Sequence, residues 1–163
     1  MSEWLGRLRQ ILGSGRIPPS PGEVFSSPAV PPAGRPPISP PALAYLGDAV
    51  YELYVRIRLL EVNPTDPGKL HALAIERVRA EAQARALQSL VPNLSKTELD
   101  LVRRARNRKS RTRPRSSLAE YKQSTGLEAL LGHLFLTGQD ERLADVLRAA
   151  YAAVEEAPAP PPK

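Results

Sequence analysis

The sequence predicts an all-α domain. No segment alternates apolar and polar residues with a period of two, apolar residues recur at helical spacing through several long segments, and those segments are bounded by residues that start or stop helices. The longest apolar stretch, Leu43 to Leu60, reads LAYLGDAVYELYVRIRLL. At about 100° per residue, Leu43, Leu46, Val50, Leu53, Tyr54, Ile57 and Leu60 fall on one face, the expected core stripe. Ala44, Val55 and Leu59 make a second stripe with Tyr51 beside it, so the helix is expected to be buried on two sides. Asp48 lies in that second stripe. A buried acid needs a partner, which is either a neighbouring Arg or backbone N–H, or a bound cation.

The remaining elements follow in order. Trp4, Leu5, Leu8, Ile11 and Leu12 have the spacing of a short amphipathic helix, which Gly13-Ser14-Gly15 ends. From Pro18 to Pro41 proline is too dense for a helix or a central strand, so residues 1–41 are expected to be an extended or disordered arm. The folded domain is assigned to residues 42–155. After the first helix, Asn63-Pro64-Thr65-Asp66-Pro67-Gly68 is a turn, with Asp66 as cap and Pro67 at the first position of the next helix. That helix is expected to run unbroken from Leu70 to Leu90, where Pro92 stops it. Ser95 and Glu98 form a capping box for a third helix carrying Leu99, Leu101 and Val102. Its end is basic (Arg103, Arg104, Arg106, Arg108, Lys109, Arg111, Arg113, Arg115), and Pro114 breaks it. Ser117 to Phe135 is helical through Leu127, Leu130, Leu131 and Leu134. Gly138 ends it, and Glu141 to Val154 forms the last helix. Residues 156–163 are expected to be a disordered tail.

The chain has 163 residues and a net charge of +6, from 23 Lys and Arg against 17 Asp and Glu. One domain is the default at this length. A basic balance implies a polyanionic partner. No apolar run is long enough for a membrane span, and no apolar stripe accompanies the basic cluster, so a membrane surface is disfavoured. The absence of cysteine excludes disulfides and thiolate metal sites, and the start lacks a secretory core; a cytoplasmic location is expected. His71 and His133 stand apart without metal-ligand spacing and read as packing or hydrogen-bonding residues.

LAYLGDAVYE, Leu43 to Glu52, resembles the signature of ribonuclease III, and its Ala before Tyr45 and Tyr51-Glu52 after Val50 are specifically similar to Mini-ribonuclease III, a ribonuclease III domain without a double-stranded-RNA-binding domain. The helix around Leu70-His71 and Ala82-Gln83-Ala84 resembles that family too, as does Arg104-Ala105-Arg106-Asn107, with Ala105 where the family has Gly. Thr125-Gly126-Leu127-Glu128-Ala129-Leu130-Leu131-Gly132 resembles the second acidic motif. The resemblance implies a helical endonuclease domain that cleaves double-stranded RNA with Mg²⁺, or Mn²⁺ in its place. It implies Asp48 and Glu128 as metal ligands and catalytic acids, and a homodimer acting on precursor large-subunit ribosomal RNA, with a ribosomal protein as a further candidate partner. Two acids of the ribonuclease III pattern are missing, replaced by Ala44 and Thr125.

These residue types suit phosphodiester hydrolysis, which needs carboxylates converging from different elements on hydrated Mg²⁺. Glu52, one turn beyond Asp48, is a candidate to assist through a water, although it equally suits an ion pair; Thr125 is a candidate beside Glu128. Arg104, Arg106, Asn107, Arg108, Lys109 and Arg111 are the candidate RNA contacts, acting on the backbone with little sequence preference. Two other readings remain. With two acids missing, the chain could be a binding-only ribosome-assembly factor, which would have no need of Asp48 and Glu128. The chain could also be a helical adaptor working through its proline-rich arm.

Overall fold

The computed structural model describes residues 38–62, 66–107 and 117–155. Regular structure among them is entirely helical: α1 (Pro40–Val62), α2 (Pro67–Val78), α3 (Ala80–Leu90), a 3₁₀ turn (Val91–Asn93), α4 (Lys96–Arg106), α5 (Leu118–Leu136) and α6 (Asp140–Glu155). The expected Trp4 helix, the proline-rich arm, the tail, and the candidate RNA contacts Arg108, Lys109 and Arg111 lie outside the described residues.

Local chemistry sets the helix ends. At α2 the Asp66 carboxylate accepts from the N–H groups of Gly68 (3.0 Å) and Lys69 (3.1 Å), with Pro67 leading the helix. The capping box expected at α4 is present: Ser95 Oγ accepts from Glu98 N–H at 3.3 Å, and Glu98 Oε2 accepts from Ser95 N–H at 2.7 Å. A second box at α5, between Ser117 and Glu120, was not anticipated. Gly138, at φ 72°, makes the left-handed turn that separates α5 from α6.

The helix that is apolar all round is α5 rather than α1. Leu127, Ala129, Leu130, Leu131 and Leu134 are wholly buried, and α5 packs against α1, α3, α4 and α6. The core face of α1 consists of Leu43, Ala44, Gly47, Val50, Tyr51, Tyr54, Val55 and Leu59. Leu53 and Leu60, expected in the core, are instead 38% and 51% exposed. The physical reason is that small residues, Ala44 and Gly47, let α1 approach α5 most closely along their own line, which turns the larger Leu53 and Leu60 outward. Leu99 of α4 is likewise 37% exposed.

The expected single helix from Leu70 to Leu90 is broken at Arg79, whose φ of −63° and ψ of 153° are extended. The two halves serve different neighbours: α2 packs on α1, whereas α3 packs on α5 and α6. Periodicity along a single strand of sequence does not reveal such a change of partner. Gln83 Nε2 donates to the Val78 carbonyl at 2.9 Å and satisfies the end of α2 across the break. On the far side, Arg142 of α6 forms a two-pronged pair with Glu98, Nε to Oε1 at 2.8 Å and Nη2 to Oε2 at 3.0 Å. Its Nη2 also donates to the Asn93 carbonyl at 2.9 Å, tying α6 to the start of α4.

The crossing of α1 and α5 is a backbone contact. A Cβ built on Gly47 would lie 1.7 Å from the Glu128 carbonyl oxygen and 2.8 Å from Gly132 N; one on Gly132 would lie 2.1 Å from the Leu43 carbonyl oxygen. Neither position has room for a methyl group. Gly47→Ala should therefore cost about 3 kcal/mol or more by overpacking, a fall of roughly 10 °C in melting temperature for a domain of this size. Gly68→Ala, whose Cβ would meet only Asp66 Oδ1 at 3.4 Å, should leave the melting temperature unchanged or raised. Equal melting of the two variants would contradict the backbone contact.

Candidate active site

Each glycine of that crossing adjoins or faces an acid. Asp48 follows Gly47 on α1, and Glu128 lies one turn before Gly132 on α5. The Asp48 charge helps raise Glu128, so the fold brings the two candidate acids into one electrostatic site. Among the described residues neither forms an ion pair with Lys or Arg.

Glu128 is half-buried. Burial, then the charge of Asp48, pushes its carboxyl up to about 7, while the nearby Gln83 amide pulls the other way. Asp48, expected within a buried stripe, is instead exposed, because α5 covers the Ala44–Gly47 line of α1 and leaves the next residue outside. Desolvation on its protein side and then the charge of Glu52 still raise its carboxyl above the ordinary value. Repulsion is reciprocal, so ionising either acid makes the other harder to ionise. Two acids that burial and mutual repulsion both disfavour, with no basic side chain to neutralise them, are what a cation would stabilise. That is the fit of this site to Mg²⁺. No group of three His, Cys, Asp or Glu side chains suited to a metal occurs among the described residues. Asp48 and Glu128 would thus be the protein's ligands, and water and phosphate oxygens would fill the remaining positions that Mg²⁺ demands.

The other candidates take up less direct places. Glu52 pairs with Arg56 at 2.8 Å, so its carboxylate is shared between that partner and the field at Asp48. Thr125 Oγ1 donates to the Tyr121 carbonyl at 2.9 Å, one turn back on α5. Ala44, where the ribonuclease III pattern has Glu, is buried with Leu43, Leu101, Ala105 and Ala129 between α1, α4 and α5. A Glu there would have to displace that packing. His71 is exposed and His133 half-buried, with burial lowering the His133 imidazole.

The basic end of α4 is partly visible. Arg104 and Asn107 are exposed, Arg106 is half-buried, and Ala105 is helical and buried, so the replacement of Gly there brings no backbone strain. Arg106 and Asn107 line a groove with Leu118, Ala119, Lys122 and Gln123 of α5. Lys122 and Gln123 were not singled out from the sequence, because one Lys and one Gln on a helix surface carry no pattern. Gln83 stands within the family-like segment Ala82-Gln83-Ala84. Its one available signal was a polar residue on the apolar side of an Ala-rich helix.

The raised Glu128 has a consequence for stability. Between its ordinary 4.5 and about 7, folded Glu128 keeps a proton that the unfolded chain has released. Stability is therefore full below that window and falls as pH rises through it, by up to about 3 kcal/mol. Glu128→Gln removes this loss. In metal-free buffer it should melt several degrees above the parent protein at pH 8 and near it at pH 4. A melting difference independent of pH would show that Glu128 is not perturbed.

Comparison with known proteins agrees with this geometry. The family model for the ribonuclease III domain matches residues 41–139. A Mini-ribonuclease 3 of Symbiobacterium thermophilum is 50% identical over 119 residues, which is 72% of this chain and 92% of the relative. One from Thermoanaerobacter is 41% identical over 120 residues, 73% of this chain and 84% of the relative. The crystal structure of a Fusobacterium nucleatum protein, 28% identical, superposes with a TM-score of 0.63 over 69% of this chain and 90% of that one. A fold of this kind carrying both acids, with relatives of this identity along most of its length, belongs to the Mini-ribonuclease III family.

Proposed function

We propose that this chain is a Mg²⁺-dependent endoribonuclease that cleaves double-stranded RNA and matures the paired ends of precursor large-subunit ribosomal RNA. The observation that carries the reading is the convergence of Asp48 and Glu128, unneutralised by any described basic side chain, in a chain with a strongly basic helix end. A binding-only factor would gain nothing from that pair, which costs stability at neutral pH.

Mg²⁺, when bound, would supply charge neutralisation at the scissile phosphate and activation of a water. The chain's residues supply the rest. Asp48 and Glu128 would hold the ion once both are ionised. Glu128 gives up its proton near neutral pH, so loading strengthens as pH rises through about 7. Arg104, Arg106 and Asn107, continuing into Arg108, Lys109 and Arg111, hold the phosphate backbone, and Lys122 and Gln123 extend that surface along the groove. Because A-form RNA presents mainly phosphates and 2′-hydroxyls, such contacts discriminate weakly by sequence. Position along a precursor is then set by its shape and by bound ribosomal protein.

A homodimer, each site cutting one strand, fits the surface of α1. Tyr45, Ala49, Leu53 and Leu60 form an exposed apolar stripe with half-buried Leu46 and Ile57, beside Asp48. A second copy of α1 is the occupant that this stripe suits.

The purified protein should cut a long RNA duplex with Mg²⁺. EDTA or Asp48→Asn should reduce cutting by at least a hundredfold while leaving RNA retention intact, and sedimentation should give a dimer that Leu53→Glu dissociates. Uncut RNA retained equally by parent and Asp48→Asn, both as free duplex and on precursor ribosomal particles, would replace catalysis with a binding role.

A further inference from the structure

The described core contains three buried polar residues: Gln83, Glu98 and Ser124. Two have a structural account. Glu98 closes the α4 capping box and pairs with Arg142, and Ser124 donates to the Tyr121 carbonyl at 3.0 Å. Gln83, 2% exposed on α3, is only partly accounted for. Its Nε2 donates one proton to the Val78 carbonyl at 2.9 Å, and its amide stands near enough to Glu128 on α5 to favour the charged carboxylate. Its Oε1 is buried without a partner. An amide left half-satisfied in a core lowers stability, and Met or Leu would fill the same volume without that cost. Packing alone therefore does not account for a glutamine here.

The two protons of the amide explain it. A primary amide carries two N–H donors in a fixed plane. With one fixed on Val78 O at the break between α2 and α3, the other is aimed by the backbone rather than left to rotate. We propose that Gln83 is a positioning residue: anchored on the Val78 carbonyl, its side-chain amide holds the Glu128 carboxylate in the orientation that shares a cation with Asp48. The break at Arg79 then has a role beyond redirecting the chain, since a continuous helix would use the Val78 carbonyl itself and leave the amide without its anchor. Hydrogen-bonded support of this kind orients metal-ligating carboxylates generally. This inference rests on the cation site proposed above.

The test uses the full-length chain and its Gln83→Met and Gln83→Leu variants, which keep the volume and remove the donor. Three readouts are compared: melting temperature in EDTA, calorimetric titration with Mn²⁺ in the absence of RNA, and single-turnover cleavage of a duplex with Mg²⁺. At least one variant should melt within a few degrees of the parent and retain RNA equally in EDTA. That variant should bind Mn²⁺ about tenfold more weakly and cleave roughly 10- to 100-fold more slowly. Mn²⁺ affinity and rate within twofold of the parent would overturn the proposal and leave Gln83 as a cap for α2. Both variants unfolding at the assay temperature would overturn it too, because the amide would then serve the fold. A parent protein that neither binds Mn²⁺ nor cleaves would remove the cation site itself, an outcome distinct from a failure at Gln83 alone.

Discussion

The structure depends on one close approach, the crossing of α1 and α5 at Gly47 and Gly132, where backbone meets backbone with no space for a Cβ. An ordinary helix pair is separated by its side chains, about 8–10 Å between axes. Removing the side chains at the crossing shortens that distance and sets the turns carrying Asp48 and Glu128 against each other. The chemistry follows from the spacing. Two carboxylates brought together in a partly desolvated place repel, each resists ionisation, and the energy of that repulsion is what a divalent cation relieves on binding. In the proposed site, stability and cation binding are thus opposed at Glu128, where the charged form that destabilises the metal-free fold is the form that would hold the ion.

The site keeps fewer acids than the ribonuclease III pattern, and its surroundings show why the lost positions are not easily restored. Ala44 is part of a small apolar cluster with Leu101 and Ala105 of α4, and Thr125 spends its hydroxyl proton on its own helix. Glu52 is held by Arg56. With only two carboxylates to hold the proposed cation, the orientation of each would matter more than in a crowded cage, and a buried amide beside Glu128 becomes intelligible.

Much of this was legible in the sequence, and what was not has a common cause. Helix ends governed by local chemistry were readable: Asp66 with Pro67, Ser95 with Glu98, Pro92 and Gly138 all act within a few residues of themselves. The Ser117–Glu120 box is equally local, with the same Ser-x-x-Glu spacing as Ser95 and Glu98. The pair of acids was found from the motifs around them, since nothing in the spacing between residues 48 and 128 brings them together. Properties decided by tertiary contact were not readable. The rotation of α1 that exposes Leu53 and Leu60 depends on how closely Ala44 and Gly47 admit α5, and the break at Arg79 depends on α2 and α3 having different neighbours. Gln83 belongs with these, because its meaning lies in the Val78 carbonyl behind it and Glu128 in front of it.

The central claim is that Asp48 and Glu128 hold one cation jointly. A double-mutant cycle on Mn²⁺ affinity tests it most directly, using the parent protein, Asp48→Asn, Glu128→Gln and the double variant, with binding measured by calorimetry. Joint coordination predicts strong coupling: each single variant loses most of the affinity, and the double variant is little worse than either. Independent, additive losses, or an affinity that neither substitution changes, would contradict it and separate the two acids into unrelated roles.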